Sequence, residues 1–323
     1  MDNDSIEAAL QIIQDSDRIL IVSHIRPDGD AVGSVLGLGL SLLAAGKDVQ
    51  MVLEDGVPKS FRHLTGNDRV IQNAMKSYDC SIVVDCSDLG RTGKVFENNT
   101  IPDINIDHHN TNLNFARINI VDSTATATTE ILARLLPSWD LPLHLPVAEA
   151  LLTGLITDTL GFRVPSMSPE TLRIAANLYE IGADLPTLYT KALMTRSFRA
   201  ARLWGTGLTA LKLENRMVWT RLTLADRDYA NYPGKDDADL INILQTIEDA
   251  DIFLIFVDQD DDRVKVSWRA RKGFDVSKIA VKFGGGGHKP AAGAEIQGNI
   301  DTIIDEILDA TRLLLNGHQN NHL

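Results

Sequence analysis

The stretch RILIVSHIRPDGD, residues 18–30, decides the fold. It opens on a run dominated by Ile, Leu and Val (RILIVS, 18–23), which reads as a strand buried on both faces. A polar turn carrying His24, Asp28 and Asp30 follows, and the apolar stretch Ala31 to Ala45 then reads as a helix. The rhythm recurs outward from there in VQMVL (49–53), SIVVD (81–85) and INID (104–107). Short β-branched runs alternating with helical stretches predict an α/β domain built on a parallel sheet with helices on both faces. In such sheets the functional loops lie at the carboxyl ends of the strands.

Helical periodicity dominates from Ala125 to about Ala192, with Ser168, Pro169 and Glu170 reading as a cap, a first-turn proline and a first-turn acid. A second alternation follows: MVWTRLTL (217–224), a helix, DIFLIFVD (251–258) and RVKVSWRAR (263–271), the last two joined by the acidic turn Gln259 to Asp262. Between these regions KALMTRSFRAARLW (191–204) is basic and lacks a strand pattern. The expected organisation is a first domain over 1–190, a linker over 191–204 and a smaller α/β domain over 205–323.

Composition bounds the function. The chain has 323 residues, 44% of them hydrophobic, and a net charge of −13 from 31 basic and 44 acidic side chains. That balance opposes binding to long duplex nucleic acid, which requires a cationic surplus. The acidic N-terminus reads as a short amphipathic helix and lacks the basic start of a signal peptide. Residues 31–46, with four glycines, fall short of the roughly 20 apolar residues that span a bilayer. Cys80 and Cys86 read as reduced core residues, so a cytoplasmic location is expected. Locally the charge reverses: residues 263–289 hold eight Lys or Arg against Asp275 alone. Four glycines, 284–287, lie inside this run, followed by His288 and Lys289. Bare backbone N–H groups of this kind can approach a phosphate where a side chain would block it.

Other motifs carry less. GTGLTA (205–210) fits a dinucleotide-loop pattern but no strand precedes it, and Gly46-Lys47 is followed by Asp48, which excludes a Walker A loop. His63, His144, His318 and His322 read as surface residues, and Trp204, Trp219 and Trp268 as packing residues.

The chemistry lies at the strand ends. RILIVS leads into His24, Asp28 and Asp30; SIVVD ends in Asp85; INID ends in Asp107-His108-His109; the helical LLTGLITDTLGF (151–162) carries Asp158. Each alone reads as a cap or a satisfied polar group. Together they aim carboxylates and imidazoles at one edge of a sheet, where divalent cations are the simplest neutraliser.

H-x-x-P-D-x-D after a strand, the aspartate of VVDCSD, the D-H-H-N tetrad, the TDT segment and GGGGH resemble the DHH phosphoesterases with a C-terminal DHHA1 domain. The SWRAR and FGGGGHKPAAGA segments are most similar to its stand-alone nanoRNase and pAp phosphatase branch. Ala270 departs from the serine frequent there.

The resemblance implies one metal on His24, Asp28 and Asp85 and another on Asp30, Asp85, His108 and Asp158, with Asp85 shared. Two ions with a common carboxylate suit in-line attack of water on phosphorus. A set rich in carboxylate with imidazole and no thiolate favours two Mn²⁺, with Mg²⁺ or Co²⁺ as substitutes. Two such cations would bring the net charge from −13 to −9. Asp107 is expected to orient the histidines, His109 to meet the phosphate or leaving oxygen, and Arg91 to contact the scissile phosphate. Arg269, Gly286, Gly287 and His288 are expected to grip the nucleotide across a cleft between the domains, and a homodimer is implied. The expected reaction is hydrolysis of nanoRNA or dinucleotides such as pGpG and pApA to 5′-mononucleotides, and of pAp to AMP. The alternatives are a cyclic di-AMP phosphodiesterase and a nucleotide sensor without catalysis.

Overall fold

The computed structural model describes residues 2–75, 77–96 and 100–319, with side chains as far as residue 315. The chain divides into two compact units, Met1–Thr195 and Arg196–Leu323.

The first unit opens on helix α1 (Asn3–Asp15), capped by the Asp2 side chain on the Ser5 N–H. Six strands follow: β1 (Arg18–Val22), β2 (Asp48–Val52), β3 (Val70–Ile71), β4 (Cys80–Val84), β5 (Ile104–Asp107) and β6 (Ile118–Val121). All pairings are parallel, in the order β3-β2-β1-β4-β5-β6. Strand order reverses between β1 and β4, and in an open sheet that switch point is where a crevice forms at the carboxyl ends. The two strands are central and apolar, and Ile19 to Val22 and Cys80 to Val84 are buried. The edge strands β3 and β6 escape the sequence reading because one pairs only two residues and the other, INIV, is half-buried.

Helix α2 (Gly29–Ala44) begins two residues earlier than expected because Asp28 caps it, accepting from the N–H groups of Asp30 and Ala31. It is apolar all round because it lies in the core, between the sheet and helices α3 (Thr128–Ser138) and α4 (Leu145–Asp158). Glycine allows the closest approach: a Cβ at Gly33 would lie 2.5 Å from the Ala150 carbonyl oxygen on α4. Helix α5 (Pro169–Glu180) starts as the sequence predicts, with the Ser168 hydroxyl accepting from the Thr171 N–H. Helix α6 (Leu185–Tyr189) closes the expected helical region. No helix among the described residues is long and apolar enough to cross a membrane.

The stretch expected as a linker is largely helical. A π-type turn covers Thr190–Met194, and α7 (Phe198–Thr209) starts on a Ser197 cap with Ala200 and Leu203 buried, leaving only 195–197 irregular. The second unit then builds a mixed sheet from β7 (Lys212–Glu214), β8 (Met217–Leu222), β9 (Ile252–Gln259), β10 (Arg263–Ala270), β11 (Gly286–His288) and β12 (Ala291–Gln297). Its order is β11-β12-β10-β9-β8-β7, antiparallel except between β8 and β9. The acidic turn closes the β9–β10 hairpin through a three-residue loop, with Asp261 and Asp262 both left-handed.

Alternation sends Val264, Val266 and Trp268 to one face, against α10 (Ser277–Lys282) and α11 (Ile300–Gln319). Phe253, Ile255 and Val257 go to the other face, with Leu203 of α7, Ala230 of α8 (Leu224–Ala230) and Leu240 of α9 (Leu240–Leu244). Trp219 and Trp268 are buried packing residues, and Trp204 is half-buried with its Nε1–H on the Ala238 carbonyl.

Candidate metal centre

Each candidate ligand of the first unit is placed by a chain reversal at the carboxyl edge of the sheet. His24 lies two residues beyond β1, buried, with Nδ1 2.8 Å from the Ile25 carbonyl, so Nε2 faces the carboxylates. Asp85 follows β4 in the left-handed region, φ 53°, a conformation aspartate tolerates better than most residues. Its N–H donates to the Ile106 carbonyl of the neighbouring strand. Asp107 ends β5, and Asp158 ends α4.

These reversals bring the side chains together around Asp85, which is 1% exposed. His24 Nε2 lies 3.6 Å from Asp85 Oδ2 and 3.9 Å from Asp28 Oδ1. His108 Nε2 lies 3.8 Å from Asp85 Oδ1 and 3.6 Å from Asp158 Oδ2. Three triads result, His24 with Asp28 and Asp85, Asp30 with His108 and Asp158, and Asp85 with His108 and His109, each with its ligand atoms within 4.8 Å of one another. One ion bonded to three such atoms at about 2.0–2.6 Å each spans this spread.

The electrostatics fit a divalent cation. The ion pairs these carboxylates make are with histidines. Loss of solvation by the surrounding protein, then the Asp85 charge, pushes the Asp28 carboxyl up, although its side chain is 63% exposed; Asp30 is driven well above its ordinary value by burial and by Asp85 and Asp158. Asp158 is pushed up to about 7 by burial and by the charges of Asp85 and Asp28. Burial works against charge on Asp85 as well, but the adjacent imidazole of His24 and the charges of His108 and His109 outweigh it and hold it down at about 2. One ionised carboxylate therefore sits at the centre of neighbours that its charge drives toward protonation, and a cation relieves that repulsion.

His109 is set apart. Its Nδ1 lies 2.7 Å from Asp107 Oδ1, and this bond, against the effect of burial, raises the imidazole to about 9. Asp107 is fully buried, and its second oxygen accepts from Asn112 Nδ2 at 2.6 Å. Asn112 also donates to Asn105 Oδ1 at 2.8 Å, so two asparagines fix the aspartate that orients the histidine. Sequence reasoning overlooked this pair, although Asn112 lies only two residues past the D-H-H-N tetrad.

It also overlooked Thr128 and Thr129. At the start of α3 the two backbone N–H groups donate to Asp30 at 2.6 and 3.0 Å, and the Thr129 hydroxyl adds a bond of 2.6 Å to Asp30 Oδ1. The Thr128 hydroxyl donates to Asp85 Oδ1 at 3.0 Å. These are first-turn donors that a helix leaves without partners. The available signal was the threonine-rich TATATTE stretch, 124–130, at the start of a helical pattern. A Cβ at Gly154 would lie 2.8 Å from the Thr129 hydroxyl and 2.9 Å from Asp30 Oδ1, so that glycine keeps the carboxylate's pocket open.

Arg91 sits on a 3₁₀ turn (Leu89–Thr92) and is exposed; its carbonyl accepts from the Ile25 N–H at 2.7 Å, tying this turn to the histidine loop. Cys80 and Cys86 are buried, free thiols pushed up to about 12 by burial, and not ligands. His144 is exposed, whereas His63 is half-buried with Nε2 enclosed and unbonded. His322 and the His318 side chain lie outside the described residues.

In the second unit, Arg269 and His288 both pair with Ala291, from opposite sides of β12, so they share one row and one face about 10 Å apart. Arg269 is half-buried, with Nη1 on the Trp268 carbonyl, and burial lowers its pKa. Within the glycine run, Gly286–His288 forms an exposed edge strand. Gly285 and Gly287 pack against β12 so closely that a Cβ would lie 2.1 and 2.5 Å from backbone oxygens, while Gly286 faces open space. Two members of the basic run already have acidic partners, Arg263 with Glu295 and Asp261, and Lys278 with Asp275.

Comparison with known proteins agrees with this arrangement. Residues 18–155 match the DHH family N-terminal domain and residues 224–313 the DHHA1 domain. The chain is 33% identical over 297 residues to the bifunctional oligoribonuclease and PAP phosphatase NrnA of Thermus thermophilus, covering 91% of this chain and 89% of that protein. It is 29% identical to the NrnA of Mycoplasma genitalium across 98% and 99% of the two chains. Among solved structures, an exopolyphosphatase-related protein from Bacteroides fragilis superposes with a TM-score of 0.88 at 26% identity, over 98% of both chains. Similarity at this level, running through both units in the same domain order, makes the chain a DHH-family phosphoesterase with a DHHA1 domain, related to NrnA.

Proposed function

We propose that the chain is a metal-dependent phosphoesterase that hydrolyses dinucleotides and other very short oligonucleotides to 5′-mononucleotides, and pAp to AMP. The observation that carries this reading is the set of overlapping triads around Asp85, a carboxylate held ionised at the centre of the cluster. The relatives named oligoribonuclease and PAP phosphatase support the substrate class.

His24, Asp28 and Asp85 would hold one divalent ion, and Asp30, Asp85, His108 and Asp158 the other. The donor set, imidazole and carboxylate with both thiols buried and protonated, suits Mn²⁺, with Mg²⁺ or Co²⁺ as substitutes. Such ions supply Lewis-acid polarisation of the phosphoryl oxygens and acidify a water.

The chain's own residues do the rest. Thr128 and Thr129 fix Asp85 and Asp30 before substrate arrives, so no reorganisation is needed during reaction. Asp107 accepts the Nδ1 proton of His109, which keeps the imidazole cationic at neutral pH and leaves Nε2–H to donate to the phosphate or the departing oxygen. Arg91 would meet the scissile phosphate, and Arg269, Gly286, Gly287 and His288 would hold the substrate's remaining phosphate and sugar.

The test is a panel of pAp, pGpG, pApA, a five-residue oligomer and cyclic di-AMP, incubated with purified protein and Mn²⁺. Linear dinucleotides and pAp should be turned over and the cyclic dinucleotide poorly. No turnover with any divalent ion, or an unaltered rate for His108→Ala, would end the proposal.

A further inference from the structure

Beyond β1 and β2 the first unit contains a cavity of about 470 Å³, inside the roughly 300–1,000 Å³ range of small-molecule sites. Two loops line it. Ile25, Arg26 and Pro27 stand between His24 and Asp28 in the chain, and Glu54, Asp55 and Pro58 follow β2. The Arg26 main chain is left-handed, φ 55°, and its N–H donates to Asp55 Oδ2 at 2.6 Å. The Lys94 N–H donates to Glu54 Oε2 at 2.5 Å. One oxygen of each carboxylate is thus held by backbone, and the other makes no hydrogen bond among the described residues.

We propose that this cavity receives the second nucleoside of a dinucleotide, the one that pAp lacks, and that Glu54 and Asp55 accept hydrogen bonds from its ribose hydroxyls. The inference rests on the phosphoesterase reading above. Three features select this occupant. Ile25 and Pro27 are chain neighbours of His24 and Asp28, so a group esterified to a phosphate at the triads lies within reach. Ile25, Pro27 and Pro58 supply apolar surface for a base or sugar to cover. The two carboxylates suit neutral hydroxyl donors, as an acidic residue does for a ribose in dinucleotide folds, and with two negative charges against the single positive charge of Arg26 the lining disfavours a further phosphate.

The consequence separates two activities. In pAp the phosphate removed carries a single ester, so the cavity plays no part. In a dinucleotide the same phosphate is also esterified to a second nucleoside, whose 2′,3′-diol is free to meet the carboxylates. A third nucleotide would put a charged diester on that 3′ oxygen, against Glu54 and Asp55, and the cavity thereby sets an upper limit on length.

The test uses the full chain with Mn²⁺ and four substrates: pAp, pApA, pApA ending in 2′,3′-dideoxyadenosine, and pApApA. Asp55→Asn and Glu54→Gln each keep an acceptor oxygen for the Arg26 and Lys94 N–H groups, and melting curves check that the variants fold. The dideoxy analogue on the unmodified protein, and pApA on either variant, should show KM raised about tenfold while pAp stays within about twofold. The kcat/KM ratio of pApApA to pApA should rise in both variants. Unchanged KM for pApA and for the dideoxy analogue, or an equal loss on pAp and pApA, overturns the cavity assignment while the phosphoesterase reading stands. Inactivity of the unmodified protein on both pAp and pApA overturns the two together.

Discussion

The two sheets of this molecule use opposite designs for gathering chemistry. In the first, every strand runs the same way, so β1, β4 and β5 all deliver their last residues to one edge, and His24, Asp85 and Asp107 meet there. In the second, all pairings but one are antiparallel, so successive strand ends point in opposite directions. Its candidate contacts, Arg269 and His288, are matched by sheet register instead, two strands apart on one face. A parallel sheet concentrates charge at a point, whereas an antiparallel one spreads contacts along a surface. The first design suits a reacting phosphate and the second an extended ligand.

The sharpest way to break that contrast is at its focus. Asp85→Asn should lower phosphoesterase activity by about 10³-fold or more, with loss of Mn²⁺ binding by calorimetry; a decrease below tenfold would mean that charge is not concentrated there. One layer out, Asn112→Ala removes the donor that fixes Asp107, and second-layer support of this kind is worth about 10–100-fold in activity. The alkaline limb of the pH–rate profile should move to lower pH as His109 loses its oriented partner, an effect that simple destabilisation would not produce.

In the second unit the effects should be smaller and different in kind. Arg269→Ala or His288→Ala should raise KM by about ten- to hundredfold with little change in kcat, since a distributed contact contributes binding more than chemistry. The two losses should be nearly additive across a 10 Å row.

The smallest effect is a difference in sign with pH. Without metal, Asp158 is pushed up to about 7, so between its ordinary value of 3.8 and about 7 the folded chain holds a proton that the unfolded chain has released. The contribution of Asp158 to the stability of the first unit therefore falls as pH rises through that window and levels off above it. Asp251 and Glu214 of the second unit are lowered by their bonds to Arg216 and Arg312, so their modest contribution is present at neutral pH and lost on acidification. Melting in a chelator should show the first trend between about pH 5 and 7. Added Mn²⁺ should flatten it and release protons, detectable with an indicator dye.

Much of this was legible because charge at the end of an apolar run is conspicuous. RILIVSH, SIVVD and INIDHH announce both the strands and the groups they carry, and the central sheet and its candidate ligands follow. What escaped has no comparable contrast. β3 and β11 are too short for periodicity to register, and β11 carries almost no side chains. Thr128, Thr129 and Asn112 act through hydrogen bonds to residues elsewhere in the chain, which no local pattern encodes. The apolar α2 looks alike whether its glycines serve flexibility or contact, and only the 2.5 Å separation at Gly33 decides for contact.

The groups around Asp85 come from residues as far apart as 24 and 158, with more than twenty residues separating each of His24, Asp85, His108 and Asp158 from the next. No fragment shorter than residues 24–158 contains the whole cluster, and none can assemble it before the central strands have found their register. An ion held there would bridge segments across most of that unit, acting as a removable cross-link that closes several large loops at once. Metal occupancy would then report on the folding of the entire first unit, and chelation should loosen strands and helices that never touch the ion.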